Sequence, residues 1–115
     1  MSMEKPETAG RYTGLRRTLE TLPSPYYRDR LHHDRELRSI WYRHWIYLCR
    51  VDAIPQPRAF RTFEIGDQSI VVVRDEGGAL RAFHNTCRHR GSILCAASEG
   101  ILDSDHLICP YHRWT

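Results

Sequence analysis

No stretch of this 115-residue sequence approaches the run of about 18 apolar residues that a membrane-crossing helix requires, so no membrane association is expected. Charges fall early between Met1 and Gly10 with no apolar core behind them, which excludes a secretory signal and argues for the cytoplasm, where thiols stay reduced. Basic blocks of about five or more are also missing. The 17 Lys/Arg against 14 Asp/Glu give a net charge of +3, nearly all of it from scattered arginines, which read as a solvated surface. With no basic stripe and no base-reading element, nucleic acid is not an expected partner. Cysteine is sparse, at four residues, and never occurs as a closely spaced pair. That pattern argues against both a disulfide framework and the usual opening of a zinc finger. Internal repeats and low-complexity segments are absent as well.

What is present suits one domain with a modest core: 41% hydrophobic and 27% charged residues. Residues 1–33 read as a leader or linker, polar and without sustained period, with one short helical turn expected near Leu15 to Leu19. Pro23-Ser24-Pro25 predicts an extended or turn segment. From Asp34 to Cys49, Leu37, Ile40, Trp41, Trp45 and Leu48 fall at spacings of three and four. This predicts an N-terminal helix over 34–49, capped by Asp34, docking its bulky stripe and His44 on the domain. The segment after Pro57 predicts three antiparallel strands, over 60–65, 69–74 and 80–85. Turns are expected at Gly66-Asp67-Gln68 and Asp75-Glu76-Gly77-Gly78. The run Ile70-Val71-Val72-Val73 predicts a central strand buried on both faces. Ala96 to Gly100 reads as a loop and His106-Leu107-Ile108 as a short strand.

The chemistry is concentrated in Cys87-Arg-His89-Arg-Gly and Cys109-Pro-Tyr-His112-Arg-Trp, with residues 90–108 between His89 and Cys109. Each cluster brings one thiol and one imidazole, at i,i+2 and i,i+3, spacings from which both can turn toward one site from a tight loop. Two cysteines and two histidines in this mixed order form the ligand set of a Rieske [2Fe–2S] centre, in which imidazoles replace thiolates on one iron. On that reading Cys87 and Cys109 hold the inner iron and His89 and His112 the outer one. Neutral ligands in place of thiolates favour electron acceptance, and reduction tightens the imidazole protons. A structural zinc site is the alternative, since zinc also takes two cysteines and two histidines, although usually pairing like with like. Coincidental structural residues are the third reading. His32, His33, His84 and His106 lack such a context and read as surface or turn histidines.

The stretches AFHNTCRHRGSILC and CPYHRW, with WYRHWIYLCRVDAIP and RTFEIGDQSIVVVRDEGG upstream, resemble the Rieske domain of the catalytic (α) subunit of aromatic-ring-hydroxylating, non-haem iron oxygenases. The resemblance spans about residues 26–115. It implies a mainly β, Rieske-type antiparallel sheet over 58–115, with an N-terminal helical segment and without its C-terminal strands. It places Cys87, His89, Cys109 and His112 on the cluster ligands, and Asn85, Arg90, Gly91 and Trp114 on loop-framework positions. Rieske subunits of quinol-oxidising complexes carry a further cysteine in each loop, where Ser92 and Tyr111 stand here, so no disulfide brace is expected. The family usually has Gly or Ala where Arg113 sits, and an insertion is expected near Ser98 to Asp105.

The implied function is one-electron transfer, as the electron-input domain of a mono- or dioxygenase with no catalytic residue of its own. An NAD(P)H-dependent reductase or a ferredoxin would be the donor. The acceptor would be a mononuclear Fe(II) in a domain beyond this chain, on the same or the neighbouring subunit of a homo-oligomer. A stand-alone Rieske-type ferredoxin is the alternative in the class of carriers.

Overall fold

A computed structural model describes residues 20–115; the helical turn expected near Leu15 to Leu19 lies outside them. Four antiparallel strands form one sheet: β1 (Ala59–Ile65), β2 (Gln68–Arg74), β3 (Leu80–His84) and β4 (Glu99–Ile101), in the order β3-β2-β1-β4. The first three follow the expected hairpins. A two-residue turn at Gly66 and Asp67, with Gly66 at φ 62°, joins β1 to β2. The second turn is closed by Gly78, at φ 85°, whose N–H donates to the Asp75 carbonyl at 2.9 Å. There the Asp75 carboxylate also accepts from the Ala79 N–H at 2.8 Å.

The valine run occupies the interior strand β2, and Val71, Val72 and Val73 are all buried. Alternation along the strand divides them between two cores. Val72 packs with Ile54 and Ala59 on one face, backed by Leu48 and Phe63. Val71 and Val73 pack with Phe60 on the other, backed by Cys95, Leu102 and Leu107.

Outside the hairpins the structure corrects several expectations. The N-terminal helix runs earlier than 34–49. A four-residue turn, α1 (Pro25–Arg28), begins at Pro25, where a fixed φ and a missing N–H suit a first helical position. Asp29, rather than Asp34, then caps α2 (Arg30–Glu36), its carboxylate accepting from the Leu31 N–H at 3.0 Å. The helix widens into a π-helical segment over Leu37–Trp41 and stops at Tyr42. The chain is non-helical from Trp45 to Arg50, so the regular spacing of Trp45 and Leu48 belongs to no helix. Ile40 and Trp41 are exposed, His44 is exposed, and Trp45 is wholly open to solvent. The segment is tied to the sheet by Tyr42, whose hydroxyl donates to the Asp67 carboxylate at 2.6 Å and accepts from the Asp67 N–H at 3.2 Å.

The expected loop at Ala96 to Gly100 contains most of β4, which pairs with the otherwise open edge of β1. Gly100 is what permits this: a Cβ there would stand 2.9 Å from the Phe60 ring. The short strand expected at His106-Leu107-Ile108 does not form; those residues are irregular chain leading into Cys109.

Candidate metal centre

Both cysteine–histidine clusters form tight loops of the same build. In the first, residues 87–92, the Gly91 N–H donates to the Cys87 carbonyl at 2.9 Å and the Cys87 N–H donates to the Ser92 carbonyl at 2.8 Å. In the second, residues 109–114, the Arg113 N–H donates to the Cys109 carbonyl at 2.9 Å and the Cys109 N–H to the Trp114 carbonyl at 2.7 Å. Each closure needs a left-handed residue four positions after the cysteine, supplied by Gly91 at φ 74° and by Arg113 at φ 61°.

The first loop is carried by the chain leaving β3. A bridge between Thr86 and Ile93 closes its base, and Asn85 fastens the return segment. Asn85 is buried, and its amide donates to the Cys95 carbonyl at 2.8 Å while its oxygen accepts from the Cys95 N–H at 2.8 Å. A further bond runs from the Asn85 amide to the Ser69 hydroxyl on β2 at 3.2 Å. A side chain thus stands in for a strand partner, and no buried polar side-chain atom among the described residues is left without one.

The two loops meet. Cys87 and Cys109 are both buried, and the Cys87 thiol is near enough to act on that of Cys109. The Cys109 thiol is held below its ordinary pKa, chiefly by the Tyr111 backbone N–H, aided by the His112 N–H and the Cys87 thiol, and against the opposing effect of burial. The same N–H donors would stabilise a thiolate bound to metal. Burial alone raises the Cys95 thiol, which lies on the sheet core. His89 and His112 sit on the exposed side of the site, ring centroids 5.0 Å apart at 61°.

The four sequence-identified residues thus stand on two neighbouring loops, with the thiols buried and the imidazoles exposed and close to each other. A tetrahedral zinc ion needs its donors to converge on one point at about 2.0–2.3 Å. Among the described residues no three of His, Cys, Asp or Glu do so. His32, His33, His84 and His106 stay outside this group; His106 pairs with Asp105 at 2.5 Å.

The sequence placed Trp114 and Arg90 on the loop framework but did not show the ring contacts they make, nor the part of Tyr111. Trp114 stacks on His89, centroids 4.6 Å apart at 5°. Tyr111 tilts over His112 at 3.9 Å and 33°. The Arg90 guanidinium stands 5.9 Å over the Tyr111 ring. The placement of both aromatics within two residues of His112 signalled Tyr111 on His112, but not Trp114 on His89.

A family model of the Rieske [2Fe–2S] domain matches residues 44–115. The chain is 42% identical over 95 residues to the glycine betaine monooxygenase oxygenase subunit of Chromohalobacter salexigens, covering 83% of this chain and 21% of that protein. It is 39% identical over 80 residues to the large oxygenase component of the naphthalene 1,2-dioxygenase system of Pseudomonas aeruginosa, covering 70% and 17%. The fold superposes on naphthalene 1,2-dioxygenase from Rhodococcus sp. with a TM-score of 0.72, at 36% identity, covering 80% of this chain and 20% of that one. It superposes on the quaternary ammonium Rieske monooxygenase CntA with a TM-score of 0.74, at 31% identity, covering 82% and 26%. The chain thus spans about a fifth of the curated relatives it matches.

Proposed function

This chain belongs to the Rieske [2Fe–2S] domain family, and from that premise we propose that Cys87, His89, Cys109 and His112 hold the family's cluster for one-electron transfer. The domain is homologous to the electron-input domain of Rieske oxygenase α subunits. Cys87 and Cys109 bind the inner iron as thiolates, and His89 and His112 bind the outer iron through ring nitrogens. When bound, the [2Fe–2S] group supplies a one-electron couple whose potential is raised by imidazole ligation.

The observation that carries this reading is the segregation of donors, with two buried thiols and two exposed imidazoles whose ring centroids stand 5.0 Å apart. The protein's own residues supply the rest. Backbone N–H groups of Tyr111 and His112 offset negative charge at Cys109. Burial of both thiols keeps water from the sulfurs, while the imidazoles face outward, where electron partners can approach. Cysteines stand at neither Ser92 nor Tyr111, so no disulfide joins the loops, and the lower part of the Rieske potential range is expected.

Within a whole protein, this domain would take electrons from an NAD(P)H-dependent reductase or a ferredoxin. It would deliver them to a mononuclear iron of the same or a neighbouring subunit of a cytoplasmic homo-oligomeric mono- or dioxygenase. The division into a leader, a helical segment and a β domain from 58 is part of the same proposal, with the helix moved from 34–49 to 30–41 and the leader shortened from 1–33 to 1–29.

Iron and acid-labile sulfide analysis, with electron paramagnetic resonance of the dithionite-reduced protein, tests the ligand assignment. Equimolar iron and sulfide with a Rieske-type signal is expected, and a loss of that signal in the His89→Ala, His112→Ala double variant. Bound zinc without colour overturns the reading, as does full cluster content in the double variant.

A further inference from the structure

We propose that Trp114 is a positioning residue that clamps the second ligand loop onto the first and fixes the ring plane of His89. This rests on the reading of His89 as an iron ligand.

His89 stands on the first loop, yet both rings that contact it belong to the second. His112 meets it edge-on, with an interplanar angle of 61°. Trp114 lies flat on it, with planes 5° apart and centroids at 4.6 Å. No hydrogen bond to the His89 ring from the described residues fixes its rotation, so the coplanar indole is its main orienting contact. His112 differs, because its tilted aromatic neighbour Tyr111 is adjacent in its own loop. Turning the His89 ring about its Cβ–Cγ bond swings the coordinating nitrogen away from its iron. A flat neighbour resists that turn through lost stacking contact.

Trp114 has two separable roles. Its main-chain carbonyl closes the second loop by accepting from the Cys109 N–H. Its side chain reaches across to the first loop. Substituting the side chain leaves the carbonyl in place, and with 53% of the residue exposed the indole contributes little to the core. Arg90 crosses in the opposite direction, from the first loop over Tyr111 of the second. The two contacts interlock loops that no disulfide joins, since all four cysteines are free.

Trp114→Leu removes the stackable ring and keeps apolar bulk; Trp114→Phe keeps a ring. Cluster-loaded protein of each form is challenged with an iron chelator while bleaching is followed. The nitrogen hyperfine couplings of the reduced form are measured by pulsed paramagnetic resonance. Trp114→Leu should lose its cluster roughly 2- to 12-fold faster, the range expected for one aromatic pair. It should also show altered coupling to one of two nitrogens, with Trp114→Phe close to the parent in both readouts. Parent-like release and couplings in Trp114→Leu overturn the clamp, and so does equal damage in the two variants. A parent protein whose signal lacks two coupled nitrogens overturns the ligand assignment instead.

Discussion

Gly91 and Arg113 occupy equivalent positions in the two ligand loops. Each lies four residues after its cysteine, donates its N–H to that cysteine's carbonyl at 2.9 Å, and has a left-handed backbone. One loop fills the position with the residue type that adopts this conformation at no steric cost; the other uses an arginine.

Arg113→Gly should therefore stabilise the protein by about 1 kcal/mol, the cost of holding a non-glycine residue in the left-handed region. Gly91→Ala should destabilise it by a similar ~1 kcal/mol, because an added Cβ meets nothing within 4 Å and only the backbone penalty acts. Chemical denaturation midpoints measure both. Shifts of the same sign would show that the loops are not equivalent.

Asn85→Ala removes both halves of the bracket on Cys95 and leaves a main-chain N–H and carbonyl without their partner. A loss of about 3 kcal/mol is expected. Asn85→Asp keeps the shape but turns an acceptor toward the Cys95 carbonyl, so it should be no better tolerated at neutral pH. Equilibrium unfolding of both variants checks this.

Val71→Ala should cost about 2 kcal/mol, since Val71 is fully buried between β1 and β3. Trp45→Ala, at a position wholly open to solvent, should change domain stability by less than about 0.5 kcal/mol. A large effect of Trp45→Ala on unfolding would mean that the sequence-predicted stripe does pack.

The Tyr42 hydroxyl, with Gln68, holds the Asp67 carboxyl below its ordinary pKa. Its contribution is present above the unfolded-state value and fades as pH falls through the lower folded one. Tyr42→Phe should therefore flatten the acid side of the stability–pH profile and leave its alkaline side largely unchanged below the range where tyrosine ionises. Thermal unfolding from pH 7 to pH 2 follows the change.

The β hairpins and the two cysteine–histidine loops were legible because they rest on local signals. Val71, Val72 and Val73 announce a strand buried on both sides, Gly66 and Gly78 announce turns, and a cysteine with a histidine two or three residues later announces a half-site. The helix boundary was misread because Trp45 and Leu48 continue a helical spacing by coincidence, while Asp29, a better-placed cap, lies before the periodic stretch begins. β4 was illegible because nothing in Glu99-Gly100-Ile101 resembles a strand. It forms because β1 leaves an edge open and Gly100 fits under Phe60. The stack of Trp114 on His89 was illegible because it joins residues 25 positions apart in sequence by way of two turns.

The pinning of residues 98–102 along β1 gives this architecture a tolerance for length. The Thr62 N–H holds the Ser98 carbonyl at 2.9 Å, the Leu102 N–H holds the Arg58 carbonyl at 2.9 Å, and Arg61 pairs with Glu99 at 2.8 Å. The connector between the ligand pairs is thereby divided into two independent arms, each tethered at both ends. Residues added to or deleted from one arm alter only its own slack, and the other arm still delivers its loop to the same place.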